Sequence, residues 1–188
     1  MNLIEEIKQI IKSEKLYIDL NSSDEILIRE FKDFKDEVYW IWISYHQKLS
    51  ENFIIEFQDE VDWNRISRYQ ILSERFIIEF QDKVVWWEIS EYQKLSENFI
   101  REFQDKVNWW EISVYQKLSE RFIIEFQDKV DWNGIRQNKK IQISNRFLVE
   151  IYKSGNEKVF YELKQKPSLK EYAIKIEEEV FVLFLEIV

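Results

Sequence analysis

The stretch LSENFIIEFQDEVDW, Leu49 to Trp63, returns 23 residues later as LSERFIIEFQDKVVW, then as LSENFIREFQDKVNW, and again as LSERFIIEFQDKVDW. Self-similarity at such an interval marks a supersecondary unit that cannot bury its apolar face alone and is completed by stacking on its neighbours. Five units follow from it: 26–48, 49–71, 72–94, 95–117 and 118–140. They are phased by Trp40, Trp63, Trp86, Trp109 and Trp132 and by Phe34, Phe57, Phe80, Phe103 and Phe126. A catalytic site needs one arrangement of unlike groups, whereas stacking needs many like ones, so the repeat directs the functional reading towards contact surfaces.

Within a unit, Ser50 is a good N-cap, Leu49 and Ile54 occupy the positions of a hydrophobic staple, and Glu51 sets negative charge at the positive helix end. Phe53, Ile54, Phe57 and Val61 then fall on one stripe at helical period, with Asn52, Ile55 and Asp59 opposite. This predicts a first helix of three turns from Ser50 to Val61. Asp62 can cap a second helix of about two turns, with Trp63, Ile66 and Gln70 on one face and small Ser67 beside them. Helices below ~12 residues are marginal in water, so packing must supply their stability.

The ends differ from the middle. Residues 2–13 read as an amphipathic cap helix and Lys15 to Leu20 alternates like a strand, which makes 1–25 an N-terminal cap. After Gly134 the repeat decays. Arg146 to Tyr152, 158–163, 172–176 and 179–188 read as strands, with a turn at Lys153 to Asn156, so 141–188 is expected to be a small C-terminal β region. The alternative keeps Ser144 to Tyr152 as a sixth first helix, because SNRF echoes SERF. The expected fold is mainly α: an α-solenoid of five 23-residue helix-turn-helix repeats over 26–140 with those two caps.

Composition narrows the chemistry. The chain has no cysteine and one histidine, His46, which removes disulfides, thiolate chemistry and most zinc sites. No cofactor and no metal are expected. Lys+Arg 27 against Asp+Glu 36 gives a formal charge of −9, which repels phosphate backbones and favours a basic or nucleic-acid-binding protein as partner over nucleic acid itself. The opening residues lack the basic flank and apolar run of a signal peptide, and the longest apolar run, Val180 to Leu185, is far shorter than a membrane helix of roughly 20 residues. The expectation is a cytoplasmic protein away from membranes, with homo-oligomerisation left open.

Three sets of residues are candidates for a site. The first is the recurring Glu-x-x-Asp pair: Glu56 and Asp59, Glu79 and Asp82, Glu102 and Asp105, Glu125 and Asp128. Four equal copies in equal environments suit structural or solvated roles better than acid–base catalysis, the other reading being an acidic ribbon that occupies a nucleic-acid groove on a partner. The second is Ser-x-Tyr-Gln, where no base accompanies the hydroxyls and packing explains the recurrence better than a nucleophile. His46 stands at the Tyr position and is expected to fill the same pocket. The third set comes from comparing units. Columns that recur, such as Trp63, Ile66, Leu72, Phe57 and Val61, serve stacking. Columns that vary are free to face a partner: Ile41, Asn64, Trp87, Trp110 and Asn133 in one, Tyr45, Arg68, Glu91, Val114 and Gln137 in another. Trp87, Trp110, Val114, Ile41, Tyr45 and Trp42 are therefore the candidate partner-binding residues, exposed tryptophans being common interface anchors. The competing reading packs the second tryptophan under the next unit. Ile55, Ile78 and Ile124, interrupted by Arg101, form a further varying stripe.

The unit W-x-x-I-S-x-Y-Q-x-L-S-E-x-F-I-x-E-F-Q-D-K-V, fullest here from Trp86 to Val107, resembles tandem repeats of uncharacterised proteins from large DNA viruses, bacteriophages and AT-rich bacteria. The resemblance covers about 115 of the 188 residues. His46 at the Tyr position and Arg136 at the Ser position depart from it. It implies no established activity but a viral or mobile-element origin, and with it a role against host machinery. The expected function is non-enzymatic binding, in its most concrete form a phage or viral inhibitor that blocks a host nucleic-acid-handling complex such as a CRISPR effector. A self-associating structural protein and a carboxylate- and metal-dependent enzyme are the alternatives.

Overall fold

The computed structural model describes residues 19–20 and 40–176, which fall into two compact units, 1–93 and 94–188. The expected cap helix at 2–13, repeat residues 26–39 with Phe34, and the expected strand at 179–188 lie outside the described residues. The protein is mainly helical and of the α-solenoid class, its helices recurring every 23 residues.

The first unit runs β1 (Asp19–Leu20), α1 (Trp40–His46), β2 (Lys48–Leu49), α2 (Glu51–Glu56), α3 (Trp63–Tyr69), α4 (Glu74–Glu79) and α5 (Trp86–Tyr92). β1 pairs in parallel with β2, Asp19 opposite Lys48, so part of the expected Lys15 to Leu20 strand is present. The second unit runs α6 (Glu97–Glu102), α7 (Trp109–Tyr115), α8 (Glu120–Glu125), α9 (Trp132–Gln137), α10 (Asn145–Lys153) and α11 (Glu157–Lys164). Second helices stack directly on one another, α1 on α3 and α3 on α5 in the first unit, α7 on α9 in the second.

Each first helix starts where the sequence places it. Ser50 and Ser73 Oγ accept from Phe53 and Phe76 N at 3.2 and 3.1 Å, and Ser96 and Ser119 do the same for Phe99 and Phe122. The N–H of the capping serine is itself satisfied from the module before: Ser73 N donates to Glu51 Oε1 and Ser119 N to Glu97 Oε1, both at 2.6 Å. This is the reciprocal logic of a capping box, carried across modules instead of within one helix.

The first helix is shorter than the apolar stripe predicts. It stops at Phe57, whose backbone (φ −111, ψ 30) leaves the helical region, and the remaining turn to Val61 closes by Glu60 N and Val61 N on Phe57 O. Two side-chain bonds keep that turn from continuing as helix beyond Val61. The Gln58 carbonyl accepts from the Trp63 indole Nε1 at 2.9 Å, and Asp62 N, which would have continued the helix onto it, donates to Ser44 Oγ of the preceding module at 3.0 Å. The same exchange recurs at Trp86 with Gln81 O and Val85 N with Ser67 Oγ, and at Trp109 with Gln104 O.

The second helices end on a buried amide. Gln70 Oε1 accepts from Leu49 N at 2.9 Å while its Nε2 donates to Ser44 O and Gln47 O at 3.0 and 2.8 Å. Gln93 repeats the pattern on Leu72 N, Ser67 O and Gln70 O. In the second unit Gln116 takes Leu95 N, and Asn138 donates to Ser113 O and Gln116 O. The last rung is Lys166, a buried cation whose Nζ donates to Ile135 O, Arg136 O and Asn138 O at 3.1, 3.3 and 2.9 Å, and whose pKa burial pushes down. Orphan carbonyls at each helix end are thereby capped by the following module. Phe53, Ile54 and Ile66 fill the first unit's interior, Phe122, Ile123 and Ile135 the second's, and Trp63 and Trp109 pack on Phe80 and Phe126 at 5.3 and 5.0 Å.

Where the sequence suggests C-terminal strands, the described residues are helical. Arg146 to Tyr152 lies in α10, 158–163 in α11, and 172–176 within a helical stretch starting at 170. The sixth first helix of the alternative reading is thus present: Ser144 Oγ caps Phe147 N, and Glu120 Oε1 takes Ser144 N at 2.5 Å as in the units before. The buried residues Leu148, Ile151, Val159, Phe160, Leu163, Leu169, Ala173 and Ile176, spaced by three or four residues within each helix, form their own core. Strand-favouring Val, Ile and Phe side chains outweighed this period in the sequence reading, and tertiary packing overrides such propensity. The expected turn is present, with Gly155 at φ 73 ending α10.

If the amide ladder holds the modules, Gln93→Leu, which keeps the volume and orphans three backbone groups, is expected to cost about 3 kcal/mol in urea unfolding. Exposed Gln142→Leu is expected to stay within about 0.5 kcal/mol.

Candidate interaction surface

Trp87 and Trp110 occupy the second position of α5 and α7, one in each unit, and are 41% and 51% exposed. Their neighbours Trp86 and Trp109 point into the stack and donate to Gln81 O and Gln104 O. Ile41, at the same position of α1, is 46% exposed. Within each unit the first tryptophan of the pair is bound into the ladder and the second is not packed under a module. Tyr69 and Tyr92, assigned to packing from the sequence, are each 41% exposed, and Ile71 at 85% adds to the exposed apolar surface. His46 is exposed as well, with Tyr45 edge-on at 4.2 Å and Trp42 at 4.8 Å, so the Tyr column is exposed in the first unit, whereas Tyr115 in the second is half-buried.

The other varying column behaves differently. Tyr45 is 43% exposed, yet its ring meets Tyr69 edge-on at 4.3 Å and carries the Arg65 guanidinium 6.0 Å from its centroid. Val114 is half-buried against Gly134 of the next module, and Trp42 is half-buried on His46. Variation between units thus has two causes: freedom at the second position of the second helix, and pairwise fitting between modules further along it. Comparing columns one at a time does not separate them.

All eight carboxylates of the Glu-x-x-Asp pairs are exposed. In the first unit Asp59 accepts from Lys83 Nζ at 2.9 Å, and in the second Asp105 and Asp128 accept from Lys129 and Lys158 at 3.3 and 3.2 Å. Glu125 receives Arg101 Nε and a second guanidinium nitrogen at 2.9 and 2.8 Å, which holds its carboxyl below the ordinary range. Glu56, Glu79, Asp82 and Glu102 are the remaining exposed carboxylates of the set. Exposed pairs of this kind contribute ~0–1 kcal/mol each, so they trim the acidic field more than they stabilise the stack. Of the varying stripe on the first helices, Ile78 is exposed and Ile124 packs on the C-terminal core.

One buried charge was not visible from the sequence. Glu88 is 1% exposed, lies 3.6 Å from Arg68, and keeps Oε2 without a partner. Burial raises its pKa while the Arg68 guanidinium opposes the shift. Arg68 is itself held over Tyr92 at 4.5 Å and Tyr69 at 5.3 Å.

No protein-family model, curated protein or solved structure matches the chain. Among the described residues no helix is long and apolar enough to cross a membrane, and no three His, Asp or Glu side chains are grouped to hold a metal ion.

The division of labour between paired tryptophans is directly measurable. Trp109→Ala is expected to cost about 3 kcal/mol of stability or more, as a large ring lost from packing. Trp110→Ala is expected to cost less than about 1 kcal/mol, with the loss in tryptophan emission falling on the component most quenched by acrylamide.

Proposed function

We propose that the protein is a non-catalytic interaction module that docks on a basic protein partner, with Trp87 and Trp110 as anchors, one in each unit. The observation that carries this reading is the pair of large aromatic side chains left exposed at one repeat position, 41% and 51%, while their sequence neighbours do the packing. Buried on association, such a ring contributes on the order of 2 kcal/mol or more. The formal charge of −9 and the carboxylate edge, only partly offset by lysines, favour cationic surfaces and speed their encounter. The more concrete form, a viral inhibitor that occupies the nucleic-acid channel of a host complex such as a CRISPR effector, rests on the repeat resemblance together with that charge.

The test is affinity capture from a bacterial lysate with wild type and with a Trp87→Ala, Trp110→Ala double variant, followed by titration of the captured basic protein. Wild type is expected to retain a partner whose affinity falls as salt rises, and the double variant to lose at least about 30-fold in affinity. Equal affinity of both proteins for that partner contradicts the assignment of the tryptophans.

A further inference from the structure

Modules that are nearly identical face a problem of order. The bonds that join them recur: a Ser Oγ to the amide before the next second helix, a Gln amide to the preceding carbonyls, a Glu to the next capping serine. Among the modules that end on glutamine, a slip by one module, or insertion of a module from a second copy, preserves this pattern. Nothing in that ladder distinguishes 49–71 from 72–94.

Among the contacts that differ is a pair, described at three steps, formed between the third position of a second helix and the sixth position of the second helix before it. Arg65 meets Tyr45 as a cation over a ring, 6.0 Å from its centroid. Glu88 meets Arg68 as an ion pair at 3.6 Å in which the carboxylate is buried and the guanidinium half-buried. Gly134 meets Val114 by close approach: a Cβ on Gly134 would lie 2.9 Å from Ser113 Cβ and 3.0 Å from Val114 Cγ2. The geometry points to a register code, in which the identity of this pair fixes which module follows which.

The three chemistries exclude one another. A carboxylate in place of Arg65 would face the negative face of the Tyr45 ring without a cation, an expensive position for a half-buried charge. Glycine in place of Glu88 would leave Arg68 beside a void and without its anion. Any side chain in place of Gly134 collides with a neighbouring Cβ that cannot swing aside. A mismatch therefore leaves an unpaired charge, a cavity or a clash, each among the few mechanisms by which single contacts destabilise strongly. Such mutual exclusion is how specificity is built against wrong pairings of a shared scaffold.

The code predicts the behaviour of permuted chains of unchanged composition. In full-length Glu88→Gly, Gly134→Glu, each residue is native to the protein but faces the wrong partner, and Tm is expected to fall by about 8 °C or more. Adding Arg68→Val and Val114→Arg moves the partners as well, and is expected to recover at least half of that loss and a single monomodal species by light scattering. A quadruple variant no more stable than the double, or a double as stable as wild type, overturns the code. Should both permuted chains fail to fold, the cycle of Arg68→Glu, Glu88→Arg and both together decides: the double is expected to exceed the sum of the singles, and simple additivity overturns the proposal.

Discussion

A side-chain amide that joins the first residue of its own module to two carbonyls of the preceding one underlies this architecture. Gln70 takes Leu49 N and gives two hydrogens to Ser44 O and Gln47 O, and Gln93 does the same one module later. The helices it joins are six and seven residues long, too short to persist alone. Each module leaves carbonyls at the end of its second helix, and the next module satisfies them. Apolar burial at Phe53, Ile54 and Ile66 supplies the driving force, but it is non-directional. The amides, with Ser67 and Ser113 beside them, turn that burial into a fixed geometry.

The same arrangement explains what could be read from the chain and what could not. The period, the serine caps, the second-helix starts and the buried columns at Ile66 and Val61 depend on residues near in sequence and were legible. The exit of the chain after Val61 was not, because Asp62 N, which would continue the turn onto the Gln58 carbonyl, donates to Ser44 Oγ eighteen residues away. After Ser144 the Val, Ile and Phe content favours strands, yet the helical spacing within each segment, Leu148 with Ile151 and Val159 and Phe160 with Leu163, decides the fold. Lys166 as the last rung, in a role that glutamine fills earlier, has no local signal at all.

Variation between repeats carries two messages on the same helix. At the second position it tracks exposure, and Ile41, Trp87 and Trp110 stand out from the stack. At the third and sixth positions it tracks fit between modules, as with Glu88 beside Arg68 and Gly134 beneath Val114. A repeat protein that displays different side chains in a set order needs both: one column to display and another to keep the display in order. The buried Glu88, with its raised pKa, illustrates that order is maintained at some cost in stability.

The central claim, that the buried glutamine amides hold the stack, is tested most directly by hydrogen exchange at Leu72 and Leu95. Both amides lie outside helices and donate only to the glutamine side chain that ends the second helix of their own module, Gln93 and Gln116, and Gln93 in turn grips the carbonyls of the module before. Protection close to that of the buried helical amides of Ile89 and Ile112 is the result the account predicts. Exchange of Leu72 and Leu95 at the rate of an open loop, while Ile89 and Ile112 stay protected, would contradict it.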